Sequence, residues 1–105
     1  MFARQVTLKL KGDSLAAFSR IIENNVLPLL RKQKGFRDEI TLVSPERSEA
    51  IGISLWDMKE DAETYNRTAY SEVAKALSEV LIGTPTVQTF EVGSSTLHKV
   101  AAKTV

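Results

Sequence analysis

The residues of this chain that can do chemistry are few and scattered. His98 is the only histidine, and the only side chain whose ordinary pKa lies near neutrality, so it is the obvious general base. It sits in a Ser/Thr-rich stretch after Gly93, where a histidine is solvated unless the stretch folds over a neighbouring subunit. Trp56, the single tryptophan, fits either a wall for a flat ligand or a filler of the core or of a subunit interface. Tyr65 and Tyr70 each end in a hydroxyl that serves a ligand or reaches the surface from the core. Arg4 offers a fixed cation that steers an anionic or phenolate ligand, or else an exposed strand charge. Asp57 reads as a helix cap before it reads as an acid.

Several chemistries drop out. There is no cysteine, which excludes thiolate nucleophiles, disulfides and cysteine metal sites. A lone histidine cannot build a multi-histidine metal site in one chain, and no nucleophile elbow accompanies it. No glycine-rich turn cradles a phosphate. Asp38-Glu39 and Glu60-Asp61 are neighbours whose side chains diverge, and they read as surface charges. A net charge of +1 without a basic stripe argues against nucleic acid as a partner. No apolar run spans a membrane, and the N-terminus lacks a signal-peptide core, so a cytoplasmic protein is expected. No metal and no cofactor are expected.

The elements that must position these residues follow from periodicity. At 105 residues the chain makes a single domain, expected over 1–93, followed by a C-terminal tail over 94–105. Phe2 to Lys11 alternates as a strand, with Val6, Leu8 and Leu10 on one face. Asp13 or Ser14 then caps a helix whose apolar stripe runs from Leu15 to Leu30. Pro28 lies inside that stripe, and its ring crowds the carbonyl of Asn24, so a kink or restart is expected at Asn24-Asn25. Gly35 stops the helix. A second strand, Phe36 to Val43, places Phe36, Ile40 and Leu42 on one face, and a short polar turn makes it a hairpin with the next. Around residues 51–57, Ile51, Ile53 and Leu55 form the apolar face of a central strand. At Asp57 the period changes, and Asp57 with Glu60 has capping-box spacing. The helix that follows runs to about Gly83, with a break expected at Asn66-Arg67-Thr68. Val87 to Val92 is a fourth strand.

The order β-α-β-β-α-β is the split-βαβ, ferredoxin-like arrangement: α+β, with a four-stranded antiparallel sheet in the order 4-1-3-2 and both helices on one face. The uncovered face is expected to carry Thr7, Lys9, Gly52, Ser54 and Trp56, or part of that set. Such a face calls for a second copy packed sheet against sheet, hence a homodimer.

Three stretches resemble the antibiotic-biosynthesis-monooxygenase-like (ABM) domains: Val26 to Phe36, Leu55 to Tyr65, and Gly83 to Val92. The resemblance covers nearly all of residues 2–92 and implies a dimeric α+β barrel. It also implies a choice of activities, among them cofactor-independent monooxygenation of aromatic substrates and haem degradation. The haem-degrading pattern has an asparagine on the first strand, a helix tryptophan and a following histidine. Here the first strand carries Arg4 and Gln5, Tyr65 takes the tryptophan position and the histidine position falls near Lys75, which argues against haem. In the cofactor-free branch the substrate's phenol supplies the electrons, and the protein orients it and helps remove a proton. Trp56, Tyr65, Asn66, Tyr70 and Arg4 are the candidate lining of such a pocket. The expected protein is a homodimer that binds a small apolar or aromatic molecule and, if it is an enzyme, is a cofactor-independent monooxygenase. The alternatives are a non-catalytic dimeric binding or stress-response module, or a small isomerase or decarboxylase of the wider superfamily.

Overall fold

The computed structural model describes residues 1–100. In chain order the elements are β1 (Phe2–Lys9), α1 (Leu15–Ile21), a π-helical turn (Ile22–Val26), α2 (Leu27–Arg31), β2 (Phe36–Ser44), β3 (Glu49–Trp56), α3 (Lys59–Thr68), α4 (Tyr70–Leu77) and β4 (Thr86–Glu91). The strands form one antiparallel sheet in the order β2-β3-β1-β4. This is the expected ferredoxin-like topology. The helices close one face of the sheet over a core built on Phe18, Leu30, Trp56, Tyr65, Val73 and Leu77.

The helical segments bend where the sequence demands it. Pro28 has no N–H, and a regular helix would press its ring on the Asn24 carbonyl. The chain answers by widening one turn: the Leu27 N–H bonds to the Ile22 carbonyl, five residues back. Val26 and Ile22 are thereby turned toward the sheet. Gly35, at φ 79°, ends this arm in the left-handed conformation. The second helix differs from expectation at both ends. Its N-cap is Met58, in extended conformation and without a side-chain cap. Asp57 is drawn off instead by Arg37, which donates to its carboxylate. The break falls at Ala69, between α3 and α4, and α4 stops at Leu77.

The faces of two strands are reversed from expectation. Phe2, Arg4, Val6 and Leu8 of β1 oppose Trp56, Ser54, Gly52 and Ala50 of β3, so these residues share the helix-covered side. Trp56 and Ser54 are buried there. Ile51, Ile53 and Leu55 lie on the uncovered face, together with Thr7 and Lys9. A bulge between Phe36 and Asp38 flips β2. Phe36 therefore packs inward against Trp56, with ring centroids 5.6 Å apart, while Ile40 and Leu42 point outward opposite Ile53 and Ile51. The uncovered face is thus more apolar than expected: Ile40, Leu42 and Phe90 are 41%, 50% and 50% exposed.

The segment after β4 crosses part of this face. β4 ends beside Phe2, and His98 meets the carboxylate of Asp38 on β2 at the opposite edge of the sheet. Asp38 and His98 are thus partners. Residues 101–105 of the expected tail lie outside the described residues.

Candidate functional site

A pocket lies between the sheet and the helices. Its floor contains a cross-strand row in register: Arg4 on β1, Ser54 on β3 and Glu39 on β2. Gly52 extends the floor, and Tyr65 and Tyr70 close the pocket from the helices. The remaining wall is aliphatic, including Ile22, Val26, Leu30 and Val73. This inner space is about 50 Å³. At roughly 10–15 Å³ per water it holds a few waters, so a multi-ring ligand requires side chains to move.

Arg4 organises the site. It is only 3% exposed, so its charge needs partners. Its Nη2 donates to Asn66 Oδ1 at 2.9 Å. Its guanidinium carbon lies 4.1 Å from the centroid of the Tyr70 ring and 5.3 Å from that of Tyr65, a cation between two π faces. No carboxylate pairs with it among the described residues. The break at Ala69 separates Tyr65 from Tyr70, and their rings meet edge-on at 6.1 Å.

Arg4 also borders an outer cleft of about 390 Å³, lined by Phe2, Asn66, Arg67 and Thr89. The Arg4–Asn66 hydrogen bond therefore stands at the boundary between an apolar inner pocket and a larger outer one lined by charged and apolar side chains together. Asn66 and Arg67, where a helix break was expected to open a mouth, do line this cleft, although the break comes after them.

Trp56 has a different place. It is wholly buried behind Tyr65, with ring centroids 5.1 Å apart, and its indole N–H donates to Ser54 Oγ at 2.9 Å. It fixes the site from behind and presents no surface to a ligand. His98 lies on the opposite face of the sheet, away from the pocket.

Glu39 is the residue that sequence reasoning missed. It was expected to be a surface charge, but it is half-buried on the pocket floor. Its carboxylate accepts from Thr41 Oγ1 at 2.7 and 3.0 Å. It also leans over Gly52: a methyl placed there would sit 3.4 Å from Oε2. Burial pushes its pKa above the ordinary carboxylate value, while the Thr41 hydroxyl pulls it down. The available signal was alternation, since one member of an adjacent Asp-Glu pair on a strand must face inward. Burial likewise pushes the Tyr65 phenol up to about 12, with Arg4 lowering it and Tyr70 and Glu39 raising it. Tyr65 is therefore a hydrogen-bond donor at neutral pH, and it does not act as a base. Among the described residues no cluster of three or more His, Asp or Glu is placed to hold a metal ion, and no helix is long and apolar enough to cross a membrane.

By sequence the chain matches neither a protein-family model nor a curated protein. By structure it has close likenesses. A monooxygenase from Streptomyces coelicolor, solved with nanaomycin D, matches with a TM-score of 0.76 at 18% identity, over 93% of this chain and 92% of that one. A protein of unknown function from Nitrosomonas europaea also matches at 0.76 and 18%, over 97% and 95%. SnoaB, a cofactor-independent oxygenase from Streptomyces nogalater, matches at 0.74 and 14%, over 92% and 97%. The chain therefore has the fold of the ABM-domain proteins that its sequence resembles.

Proposed function

We propose that this protein binds a small aromatic molecule between sheet and helices and oxidises it as a cofactor-independent monooxygenase. The observation that carries this reading is the buried Arg4, held by Asn66 and two tyrosine rings at the junction of an apolar pocket and an open cleft. A cation placed there without a carboxylate partner suits a ligand whose oxygen carries negative charge in the reactive state. The outer cleft admits the ligand, and Tyr70 and Asn66 move with Arg4 as it enters. Tyr65 then donates to a ligand oxygen, and the aliphatic wall excludes water. The likeness to an oxygenase that works without cofactor, and to a monooxygenase solved with nanaomycin D, supports the same chemistry.

The working form in this reading is a homodimer. The apolar outer face of the sheet, with Ile40, Leu42, Ile53 and Phe90, pairs with its copy by a two-fold axis. The narrowness of the inner pocket favours the rival reading, a dimeric binding module without turnover. Oxygen consumption separates the two. Purified protein incubated with a panel of hydroquinones and polycyclic phenols is expected to take up oxygen faster than the phenols alone. Binding without uptake across the panel would favour the binding module.

A further inference from the structure

The two charges of the pocket stand on opposite sides of its floor. Arg4 and Glu39 flank Ser54 in one row, so their backbones are two strand spacings apart, about 9–10 Å. They form no ion pair with each other. Arg4 is taken up by neutral partners, an amide oxygen and two rings. Glu39 is taken up by one hydroxyl, Thr41. The missing side chain at Gly52 leaves room above the floor, next to the Glu39 carboxylate. A pocket with a cation on one side and an anion on the other selects for a polarisable molecule laid between them.

We propose that Glu39 is the proton acceptor of this pocket, and that its ligand is a conjugated hydroxy-ketone lying with its O–H at Glu39 and its carbonyl oxygen at Arg4. The inference rests on the aromatic-ligand reading above and gives that ligand a chemical class and a direction. The step is a proton transfer. The ligand O–H bond breaks, a bond forms between that proton and a Glu39 carboxylate oxygen, and the negative charge leaves Glu39. Conjugation delivers this charge to the carbonyl oxygen, where the Arg4 guanidinium meets it. Each end of the row thereby gains a favourable partner. Burial favours the same direction, because the neutral carboxyl is the form an apolar wall tolerates. The Thr41 hydroxyl bonds to the same carboxylate and works the other way, lowering its basicity.

The test uses an acetylnaphthol with its hydroxyl and acetyl groups at opposite ends, whose absorption moves to the red on ionisation. Its methyl ether, which has no proton to give, is the control. Bound to the wild-type protein near neutral pH, the naphthol is expected to show the ionised band at a pH where the free probe does not. With Glu39→Gln, the probe still binds but the ionised band is lost by tenfold or more, while the ether binds both proteins equally. Thr41→Val leaves the carboxylate but removes the bond that lowers its basicity, so the ionised share rises. This variant keeps the test open if Glu39→Gln fails to fold. An ionised band that survives Glu39→Gln, or that falls in Thr41→Val, would overturn the assignment of Glu39 and leave the aromatic-ligand reading standing. Failure of both naphthol and ether to bind the wild type would overturn that reading, and the assignment with it.

Discussion

The Arg4 guanidinium lies over the ring of Tyr70, 4.1 Å from its centroid. A desolvated contact of this kind is worth about 2 kcal/mol, and it holds the cation without neutralising it. The charge is therefore available to a ligand in a way that an Arg–carboxylate pair would not allow.

Arg4→Met keeps the apolar stem and removes the charge. The change gives up the cation–π contacts and the Asn66 hydrogen bond, and it relieves the cost of burying a cation that no carboxylate balances. These effects oppose each other, and the melting temperature is expected to change little. Affinity for an anionic or carbonyl-bearing aromatic is expected to fall by about tenfold or more, since a hydrogen bond to a charged group is worth about 1.5–3 kcal/mol. Thermal denaturation paired with a ligand titration reads both effects. A large loss of stability with unchanged affinity would make Arg4 structural.

Tyr65 gives a signature at alkaline pH. Its phenol is held at about 12 in the folded protein against an ordinary 10.0. The raised value means that the folded state keeps a proton which the unfolded state loses. Stability from this source is complete below pH 10 and is lost as pH rises toward 12, in total about 2–3 kcal/mol. Denaturant midpoints measured across that window are expected to fall more steeply for the wild type than for Tyr65→Phe. Near neutral pH the Phe variant should match the wild type within about 1 kcal/mol, because the hydroxyl opens on the pocket.

Trp56 is the support behind that wall. It is fully buried against Phe36 and Tyr65. Trp56→Ala is expected to cost about 3–5 kcal/mol, read by chemical denaturation. Trp56→Phe, which keeps the ring contacts, should bind ligand much as the wild type does. A Phe variant that folds normally yet loses the ligand would show that the indole itself is part of the site.

Leu42, 50% exposed on the outer face of the edge strand β2, tests assembly. Light scattering at micromolar concentration is expected to give the mass of two chains for the wild type and of one chain for Leu42→Lys. A monomeric wild type would remove the sheet-to-sheet interface. The crossing segment that ends in the His98–Asp38 pair would then be a cover of that face by its own chain.

Element order and topology were legible from period and punctuation alone, down to the disturbance before Pro28. The inward face of β3 was not. Pattern reading assigns the most apolar face to the core, and Ile51, Ile53 and Leu55 outrank Ala50, Gly52 and Ser54 on that measure. A pocket floor needs small residues to leave space, however, and a face awaiting a partner needs apolar ones. The same inversion hid Glu39 and Ser54 from the candidate site. Of the residues drawn from residue type and family resemblance, Arg4, Tyr65 and Tyr70 line the inner pocket, while Asn66 meets Arg4 from the outer cleft. Asp57 has the spacing of a cap, but Arg37 reached its carboxylate first, across a bulge that no periodicity announced.

The most direct measurement of the central claim is amide chemical-shift mapping on the labelled protein, titrated with a two-ring phenolic ketone. The shifts are expected to centre on Arg4, Glu39, Gly52, Ser54, Tyr65 and Tyr70, with Asn66 and Arg67 following as the cleft opens. Shifts confined to the outer sheet face around Ile40, Leu42 and Phe90, or no saturable shifts for any phenol tried, would contradict it.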